Sequence, residues 1–260
     1  MGVSQSWGVV LEPLFLLLGL LVPLSLAGIG EDAAPDPGQP NDPGPDGTEG
    51  PDELAGSDQN DMINGHGGDD RIDGGAGDDI ILGGPGNDLI LGGDGEDNLH
   101  GEAGDDTLKG GAGDDALGGG AGDDTIDGGS GADYVKGAQG DDTLSGGSGR
   151  DVDDGAADDL LGGSGDDTLY LGDGDGGTGG TGADSFHALG GLVTIDDFAA
   201  GEDALFIGVA DPDSESIQSQ VVSEDGLLVT TSSGIQILLK NLTEALDESS
   251  FQFEALGSAV

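Results

Sequence analysis

The chain has 260 residues, with 54 acidic against five basic side chains and a formal net charge of −49 at pH 7. This charge excludes nucleic acid as a partner, because the phosphate backbone is itself a polyanion. The chain has no cysteine and only three scattered histidines, His66, His100 and His187, so it forms no disulfide, and oxygen is nearly the only ligand it offers, whereas zinc and copper favour sulfur and imidazole.

Residues 1–30 form a hydrophobic segment with two competing interpretations. The run from residue 8 to residue 30 is apolar apart from Glu12, and Ser25-Leu26-Ala27 is typical of a secretory signal cleaved after Ala27. No basic residue precedes Arg71, however, so the usual positive start of a signal is missing. An uncleaved membrane anchor is the alternative, because about 18 apolar residues suffice to cross a bilayer. Both interpretations place the rest of the chain outside the cell.

Residues 31–53 are predicted to be a disordered acidic linker. Six of the ten prolines lie between Pro35 and Pro51, among Asp, Gly and Glu. This composition extends and repels itself without packing. The segment is therefore interpreted as a spacer.

A nine-residue repeat fills the stretch from Ala55 to Phe186. Two successive copies read Gly-Gly-Ala-Gly-Asp-Asp-Ile-Ile-Leu from Gly74 and Gly-Gly-Pro-Gly-Asn-Asp-Leu-Ile-Leu from Gly83. We call the aspartate at the sixth place of each copy the marker aspartate; markers recur every nine residues from Asp61 to Asp151. Such a short unit cannot bury apolar surface alone and must stack on its neighbours, so the repeat predicts a solenoid.

If two copies form one coil, residues eighteen apart lie above one another. The glycines are then expected to form turns, because they tolerate positive φ and let carbonyls converge. The three residues after each marker are expected to form only a very short strand, and the region predicts roughly six coils. The aliphatic residues two places after the markers predict a thin core made of two ladders: Ile63, Ile81, Leu99, Leu117 and Val135, and Ile72, Ile90, Leu108, Ile126 and Leu144.

Burial alone cannot hold this region together. The 57 glycines of the chain lose much backbone entropy on folding, and the markers would stack as like charges along each edge. A cation has to lie between them. Calcium fits best, because it accepts about six to eight carboxylate and carbonyl oxygens in flexible geometry, whereas magnesium requires a tighter octahedron.

The repeat resembles the GGxGxDxUx motif of the repeats-in-toxin (RTX), or haemolysin-type calcium-binding, proteins. The resemblance implies an all-β, right-handed parallel β-roll whose turns hold about eight to ten calcium ions between successive coils. The implied carboxylate ligands are Asp70, Asp79, Asp88, Asp97, Asp106, Asp115, Asp124, Asp133, Asp142, Asp151, Asp167 and Asp184. The implied carbonyl ligands are Gly75, Gly77, Gly84, Gly86, Gly93, Gly95, Gly111, Gly113, Gly120, Gly122, Gly129 and Gly131.

Some copies depart from the motif. His66, Glu102 and Ala138 replace the second glycine before Asp70, Asp106 and Asp142, where the sites are expected to persist. The first copy, which ends at Asp61, lacks two glycines and is interpreted as a worn terminal cap.

The array falters after Asp151. Asp153 takes a core position, where a buried carboxylate is costly, and the next markers are read at Asp159 and Asp167 in steps of eight. The array is either interrupted or loose at this coil. Residues 172–180 are interpreted as a glycine-rich insertion before the last copy, which contains Asp184.

The domain organisation predicted from these patterns ends with a β-roll over residues 54–187 and a β-rich cap over residues 188–260. The predicted strands of the cap are 192–195, 204–207, 226–230 and 235–239, with a hairpin turn at Ser232-Ser233-Gly234 and a helical turn from Thr243. The segment resembles the cap of RTX arrays that carries a type I secretion signal, which implies an exporter as partner. A second signal at the N-terminus would be redundant, and this conflict stays open.

The sequence predicts a secreted, extracellular calcium-binding protein without enzymatic activity. No stretch of about 100 residues remains for a catalytic domain, and the motifs of zinc proteases, serine hydrolases and phosphate-binding loops are missing from the sequence. The roll is expected to stay expanded in the cytosol and to fold at extracellular calcium. Contacts with a cell surface or matrix stay open, and membrane contact is expected only through an uncleaved N-terminal segment. The alternative is a surface adhesin, ice-binding or matrix solenoid that uses an outward column of Thr107, Thr125 and Thr143.

Overall fold

The computed structural model describes residues 42–147 and 154–256; the predicted signal or anchor lies outside them. Within these ranges the regular structure is β-strand apart from two single 3₁₀ turns, Pro212–Ser214 and Glu248–Ser250, and no helix could cross a membrane. The strands are β1 Asp42–Asp46, β2 Glu53–Ala55, β3 Asp61–Asn64, β4 Arg71–Ala76, β5 Ile80–Pro85, β6 Leu89–Asp94, β7 Asn98–Ala103, β8 Thr107–Ala112, β9 Ala116–Ala121, β10 Thr125–Ser130, β11 Tyr134–Gln139, β12 Thr143–Ser145, β13 Asp159–Ser164, β14 Thr168–Leu171, β15 Gly176–Thr181, β16 Ser185–Ala188, β17 Leu192–Ile195, β18 Ala204–Val209, β19 Ile217–Ser223, β20 Gly226–Thr231, β21 Gln236–Leu239 and β22 Phe251–Ala255.

The strands alternate between two sheets along the chain. One sheet contains 12 strands in the order β1, then the odd-numbered strands to β17, then β21, β20 and β19. The other contains 10 strands, the even-numbered ones from β2 to β18 followed by β22. The pairing is parallel except between β19, β20 and β21. Two successive strands thus make one coil, which confirms the predicted parallel β-roll.

The core consists of the two predicted ladders. Strand register places Ile81 beside Leu99 and Ile90 beside Leu108, eighteen residues apart. Every side chain of both ladders is at most 2% exposed. The ladders continue beyond the regular repeats through Leu160 on one side, and through Leu169, Phe186 and Leu205 on the other.

The strands of the repeats are longer than predicted. A typical one, Ile80–Pro85, has six residues rather than three and includes the first two glycines of the following copy. Pairing between β4 and β6 covers the three residues before the first glycine and then resumes at the second, Gly75 with Gly93. Backbone pairing therefore continues past the bend at the first glycine, because hydrogen bonds between strands need only peptide groups and no side chains.

Part of the predicted linker belongs to the roll. Strand β1, with two prolines, pairs with β3 through Asp42 and Asp61, and β2 pairs with β4. The prediction of an unpacked spacer is wrong for these residues, because β1 is an edge strand and an edge tolerates prolines that lack a backbone donor. Residues 31–41 lie outside the described residues.

The faltering region is a single insertion followed by shortened coils. Val135 pairs with Leu160 and Leu144 pairs with Leu169, 25 residues apart instead of 18. The core position is filled by Leu160 rather than by a carboxylate. Asp151 and Asp153 lie outside the described residues.

Two interpretations of this region are wrong. Asp158, not Asp159, takes the marker position after Asp133, because its Oδ1 accepts the Asp133 N–H at 2.8 Å. The predicted insertion at residues 172–180 contains β15, which pairs with β13 and continues the roll. At this coil the chain has 25 residues instead of 18, an insertion of seven, so counting in steps of eight or nine could not locate it.

The predicted strands of the C-terminal segment are confirmed as β17, β18, β20 and β21, and β20 and β21 form the predicted antiparallel hairpin. The sheets continue into this segment, since β17 and β18 pair in parallel with β15 and β16. The helical turn predicted from Thr243 is wrong. Residues 242–247 contain no helix, and the Gln220 side chain on β19 bonds both the N–H and the carbonyl of Leu246, at 2.8 and 2.9 Å.

Candidate metal centre

The marker aspartates form two columns along the edges of the roll. In each column the Oδ1 atom accepts the backbone N–H of the aspartate one coil earlier, at 2.8 to 3.0 Å. The first column contains Asp61, Asp79, Asp97, Asp115, Asp133, Asp158 and Asp175. The second contains Asp52, Asp70, Asp88, Asp106, Asp124, Asp142, Asp167, Asp184 and Asp203.

The first glycine of each copy leaves a space beside the marker carboxylate. A Cβ atom on Gly74 would collide with Oδ2 of Asp79, and would lie 2.7 Å from the carbonyl oxygen of Gly92 in the next coil. Gly92 stands in the same relation to Asp97 and to the Gly110 carbonyl, again at 2.7 Å. The turn therefore brings a carboxylate oxygen and a carbonyl oxygen of the next coil to one small space that any side chain would fill.

The second and fourth glycines are required by their backbone conformation. Gly75 has φ 105° and Gly77 has φ 111°, values that side chains disfavour. Their carbonyl oxygens point at the matching glycines of the next coil, where a Cβ atom would collide with them. The same approach to the next coil is made by the carbonyls of Gly86, Gly93, Gly95, Gly111, Gly113 and Gly122.

The second carboxylate oxygen of most interior markers is buried and has no hydrogen-bond partner. These side chains are 1 to 3% exposed, so each such Oδ2 atom has lost its water without receiving a donor in exchange. Leaving an acceptor in this state is costly, and more so for a charged one. The aspartates concerned are Asp70, Asp79, Asp88, Asp97, Asp106, Asp115, Asp124, Asp133, Asp142 and Asp167.

Burial also changes the acidity of these columns. The pKa of Asp79 is raised to about 7, chiefly by desolvation and also by the neighbouring carboxylates Asp97 and Asp61, against the lowering effect of the Asp61 N–H. The same causes raise the pKa of Asp124, Asp133 and Asp167 to about 7 and that of Asp106 and Asp115 to about 6. The pKa is raised as well at Asp88, Asp97, Asp142 and Asp184.

This donor set fits calcium. Each turn presents a buried carboxylate oxygen without a partner, next to backbone carbonyls of the same and the next coil. Hard oxygen ligands in adaptable geometry are what calcium accepts. Within the described ranges no three His, Cys, Asp or Glu side chains form a metal-binding group; the other oxygens around the marker carboxylates are backbone carbonyls.

A third set of polar residues was missed in the sequence. In most copies the side chain just before the marker accepts the backbone N–H of the corresponding residue one coil later; Asp69 does so from Asn87 at 3.0 Å. Its side chain is exposed or partly exposed, and the direction is opposite to that of the marker columns. The recurrence of Asp and Asn at the fifth place was the available signal. The set comprises Asn60, Asp69, Asp78, Asn87, Asp105, Asp114, Asp123, Asp141 and Asp166.

The three substituted second glycines keep the turn. His66, Glu102 and Ala138 have φ 74°, 79° and 95°, and within the described ranges they alone among non-glycine residues have positive φ. Oδ2 of the markers that follow them remains buried without a partner, as in the regular copies. The prediction that these turns persist is thus supported by their backbone.

Replacing Glu102 by glycine is expected to stabilise the calcium-loaded roll. The left-handed conformation costs a side chain about 1–2 kcal/mol, of which the greater entropy of unfolded glycine offsets part, so the unfolding free energy should rise by about 0.5–1 kcal/mol. Denaturant unfolding at saturating calcium measures it. The matched control is Ala103→Gly on the same strand, where φ is not positive and a loss of about 0.5–1 kcal/mol is expected. If the unfolding free energy falls in both variants, the left-handed conformation of Glu102 is not strained.

The repeats match a known family model. A family model described as RTX calcium-binding nonapeptide repeat (4 copies) matches residues 46–81, 82–117, 118–153 and 154–175. No curated protein matches the chain. Similar solved structures include the AlgE6R3 subunit of the Azotobacter vinelandii mannuronan C5-epimerase, with 24% identity over 55% of this chain and 79% of that chain and a TM-score of 0.35. They also include the extracellular lipase LipA from Serratia marcescens, with 18% identity over 80% of this chain and 39% of that chain and a TM-score of 0.22.

Proposed function

Because the chain belongs to the RTX calcium-binding nonapeptide repeat proteins, we propose that it is a secreted protein whose roll folds when calcium fills it outside the cell. Calcium binding follows from the family. The coupling to folding is supported by one observation, the ten buried marker carboxylates whose Oδ2 atom has no partner. Calcium, when bound, supplies the positive charge that these carboxylates need.

The proposed ligands are the ten aspartates with a partnerless Oδ2 and the glycine carbonyls of their turns. The carbonyls concerned are those predicted from the motif at the second and fourth places, and those of the first glycine one coil later. The chain's own contribution is to hold these oxygens close together with water excluded. Asp184 remains a predicted ligand, and Asp151 lies outside the described residues.

The free energy of calcium binding is large enough to decide whether the roll is stable. At about 1 mM extracellular calcium and a Kd near 0.1 mM, each site contributes roughly 1.4 kcal/mol. About eight to ten sites contribute on the order of 10 kcal/mol, which is comparable with the whole stability of a domain. In a cytosol with far less calcium the same carboxylates repel each other, so the chain would stay expanded.

This scheme suits an exported protein. An expanded chain can pass through a type I exporter and condense on the far side, where calcium is abundant. RTX repeats form a structural calcium-binding fold, and we propose that this chain acts as such without catalysis. An extracellular location follows in this proposal, with the choice between cleaved signal and retained anchor resting on residues 1–30.

The ligand assignment can be tested with two adjacent residues. Asp124 is a buried marker, whereas Asp123 belongs to the exposed column and its side chain accepts the Asp141 N–H. Asp124→Asn is expected to lower the number of calcium ions bound per chain by at least one, because the amide loses the charge that attracts the ion. Asp123→Asn should leave that number unchanged. Isothermal titration on the full chain measures both; equal losses would refute the assignment.

The outward threonine column gives weaker support to the adhesive or ice-binding alternative. Thr107, Thr125 and Thr143 do stack, and the structure extends the column to Thr168 and Ser185. The next outward column on the same sheet contains Lys109 beside Asp127, joined by a 3.8 Å ion pair. A charged column of this kind interrupts a uniform threonine face, so the calcium-dependent role is preferred.

A further inference from the structure

The ends of the two aspartate columns differ from their interior. In the first column, Oδ2 of Asp61 accepts the Ser57 N–H and Oδ2 of Asp175 accepts the Gly172 N–H, both at 2.6 Å. These are the first and last members of that column in the described residues. All first-column aspartates with a partnerless Oδ2 lie between them.

The second column ends in the same way. Oδ2 of Asp52 accepts the Thr48 N–H at 2.6 Å, with the Thr48 hydroxyl at 2.9 Å. At the other end, Oδ2 of Asp203 accepts the Ala199 N–H at 2.7 Å. The remaining partnerless oxygens lie between these two residues. We call the turns of Asp52, Asp61, Asp175 and Asp203 the end turns.

Backbone conformation explains the difference. In the interior turns other than that of Asp158, the residue four places before the marker is the second glycine or one of its three substitutes, and it has positive φ. Asp158 has Asp154 at this place, without positive φ, and is not among the aspartates with a partnerless Oδ2. In three of the end turns this place is held by Thr48, Ser57 and Ala199, which do not have positive φ. Their N–H therefore turns toward the carboxylate, in the manner of a local Asx-type bond. In the fourth, Gly172 lies three places before Asp175 and donates from a shorter turn.

The position of the end turns suggests why their carboxylates accept a local N–H. An ion held between successive turns of a column needs oxygens from both of them, and the terminal aspartate of a column has another marker aspartate on one side only. An ion bound at that place would lack part of its ligands. A local N–H satisfies the carboxylate without any ion.

We propose that the four end turns are closed by hydrogen bonds in place of calcium, and that calcium binds only between them. This inference rests on the proposed calcium sites of the interior markers. It assigns the end turns as metal-independent caps of the array. It also makes the φ of the residue four places before the aspartate, rather than the aspartate itself, the feature that separates binding from non-binding turns.

Asp61 and Asp79 provide the test, because they are neighbours in one column and the Asp61 N–H donates to Asp79 Oδ1. Calcium bound per full-length chain is measured by isothermal titration for Asp61→Asn and Asp79→Asn. Asparagine keeps an oxygen acceptor and the size of the side chain, so the fold should survive. Asp79→Asn is expected to bind at least one calcium fewer than the parent chain, and Asp61→Asn the same number. Asp203→Asn and Asp167→Asn repeat the comparison at the other end.

A second readout separates a cap from a ligand. Asp61→Ala removes the acceptor of the Ser57 N–H and should lower the melting temperature at saturating calcium while leaving the calcium number unchanged. If Asp61→Asn loses as much calcium as Asp79→Asn, the inference is overturned and the proposed function stands. If Asp79→Asn loses none, the interior site assignment fails and the inference fails with it.

Discussion

Removal of calcium by a chelator is expected to unfold the roll of the full-length chain. The β signal in far-ultraviolet circular dichroism should give way to that of a disordered chain, and calcium titration should restore it along a steep, cooperative curve. The physical reason is that ten buried carboxylate oxygens have no donor, in a chain with a net charge of −49. Loss of the ions removes on the order of 10 kcal/mol, about as much as holds a domain together.

Cooperativity follows from the geometry of the columns. Each marker is joined by its Oδ1 to the backbone of the preceding coil, so ordering one turn positions the next. Magnesium at the same concentration is the control, and it should not restore the β signal because it demands near-ideal octahedral geometry and retains its water. A chelated chain whose spectrum matches that of the calcium-loaded chain would contradict calcium-coupled folding.

Acid is expected to substitute for calcium in part. In chelator, the metal-free roll should gain stability as the pH falls from about 7 toward 4, seen as recovery of β signal. Desolvation raises the pKa of Asp79 in the folded roll from the ordinary 3.8 to about 7, and other markers behave alike. The folded state therefore binds more protons than the unfolded chain in this interval, and its stability rises as the pH falls. The contribution is complete below 3.8 and lost as the pH rises through about 7.

The midpoint distinguishes this effect from general charge neutralisation. Exposed carboxylates titrate near their ordinary values of about 4, so a transition caused by them would be centred there. Protonation of the buried columns should make it begin at about pH 6 to 7, in line with the raised pKa values of Asp106, Asp115 and Asp124. With calcium present, lowering the pH should instead weaken the roll, because protons compete with the ion for the carboxylates. Calcium affinity should therefore fall below about pH 7. A transition confined to about pH 4 would argue against buried markers.

The regular part of the roll was predictable because the same nine-residue motif recurs in every copy. A strict period of nine fixes which residues stack at eighteen, so both core ladders and the marker columns up to Asp142 follow from counting. The length of the strands did not follow, since backbone pairing across the bend at Gly74 leaves no trace in side-chain type. The marker Asp158 could not be found either, because the 25-residue step before it breaks the count.

The sequence by itself determined the class of fold, the aliphatic core and the calcium chemistry, because a glycine-rich polyanion with one aspartate per copy has few other ways to fold. Only the tertiary structure decided where the array ends. The copy that ends at Asp61 lacks two glycines, but only the structure shows the consequence: Oδ2 of Asp61 meets the Ser57 N–H, and Oδ2 of Asp79 meets no donor. That difference arises from the φ of the residue four places before the aspartate, which is positive at Gly75 and not at Ser57; the missing glycine is visible in the sequence, but the donor that the carboxylate then meets is not.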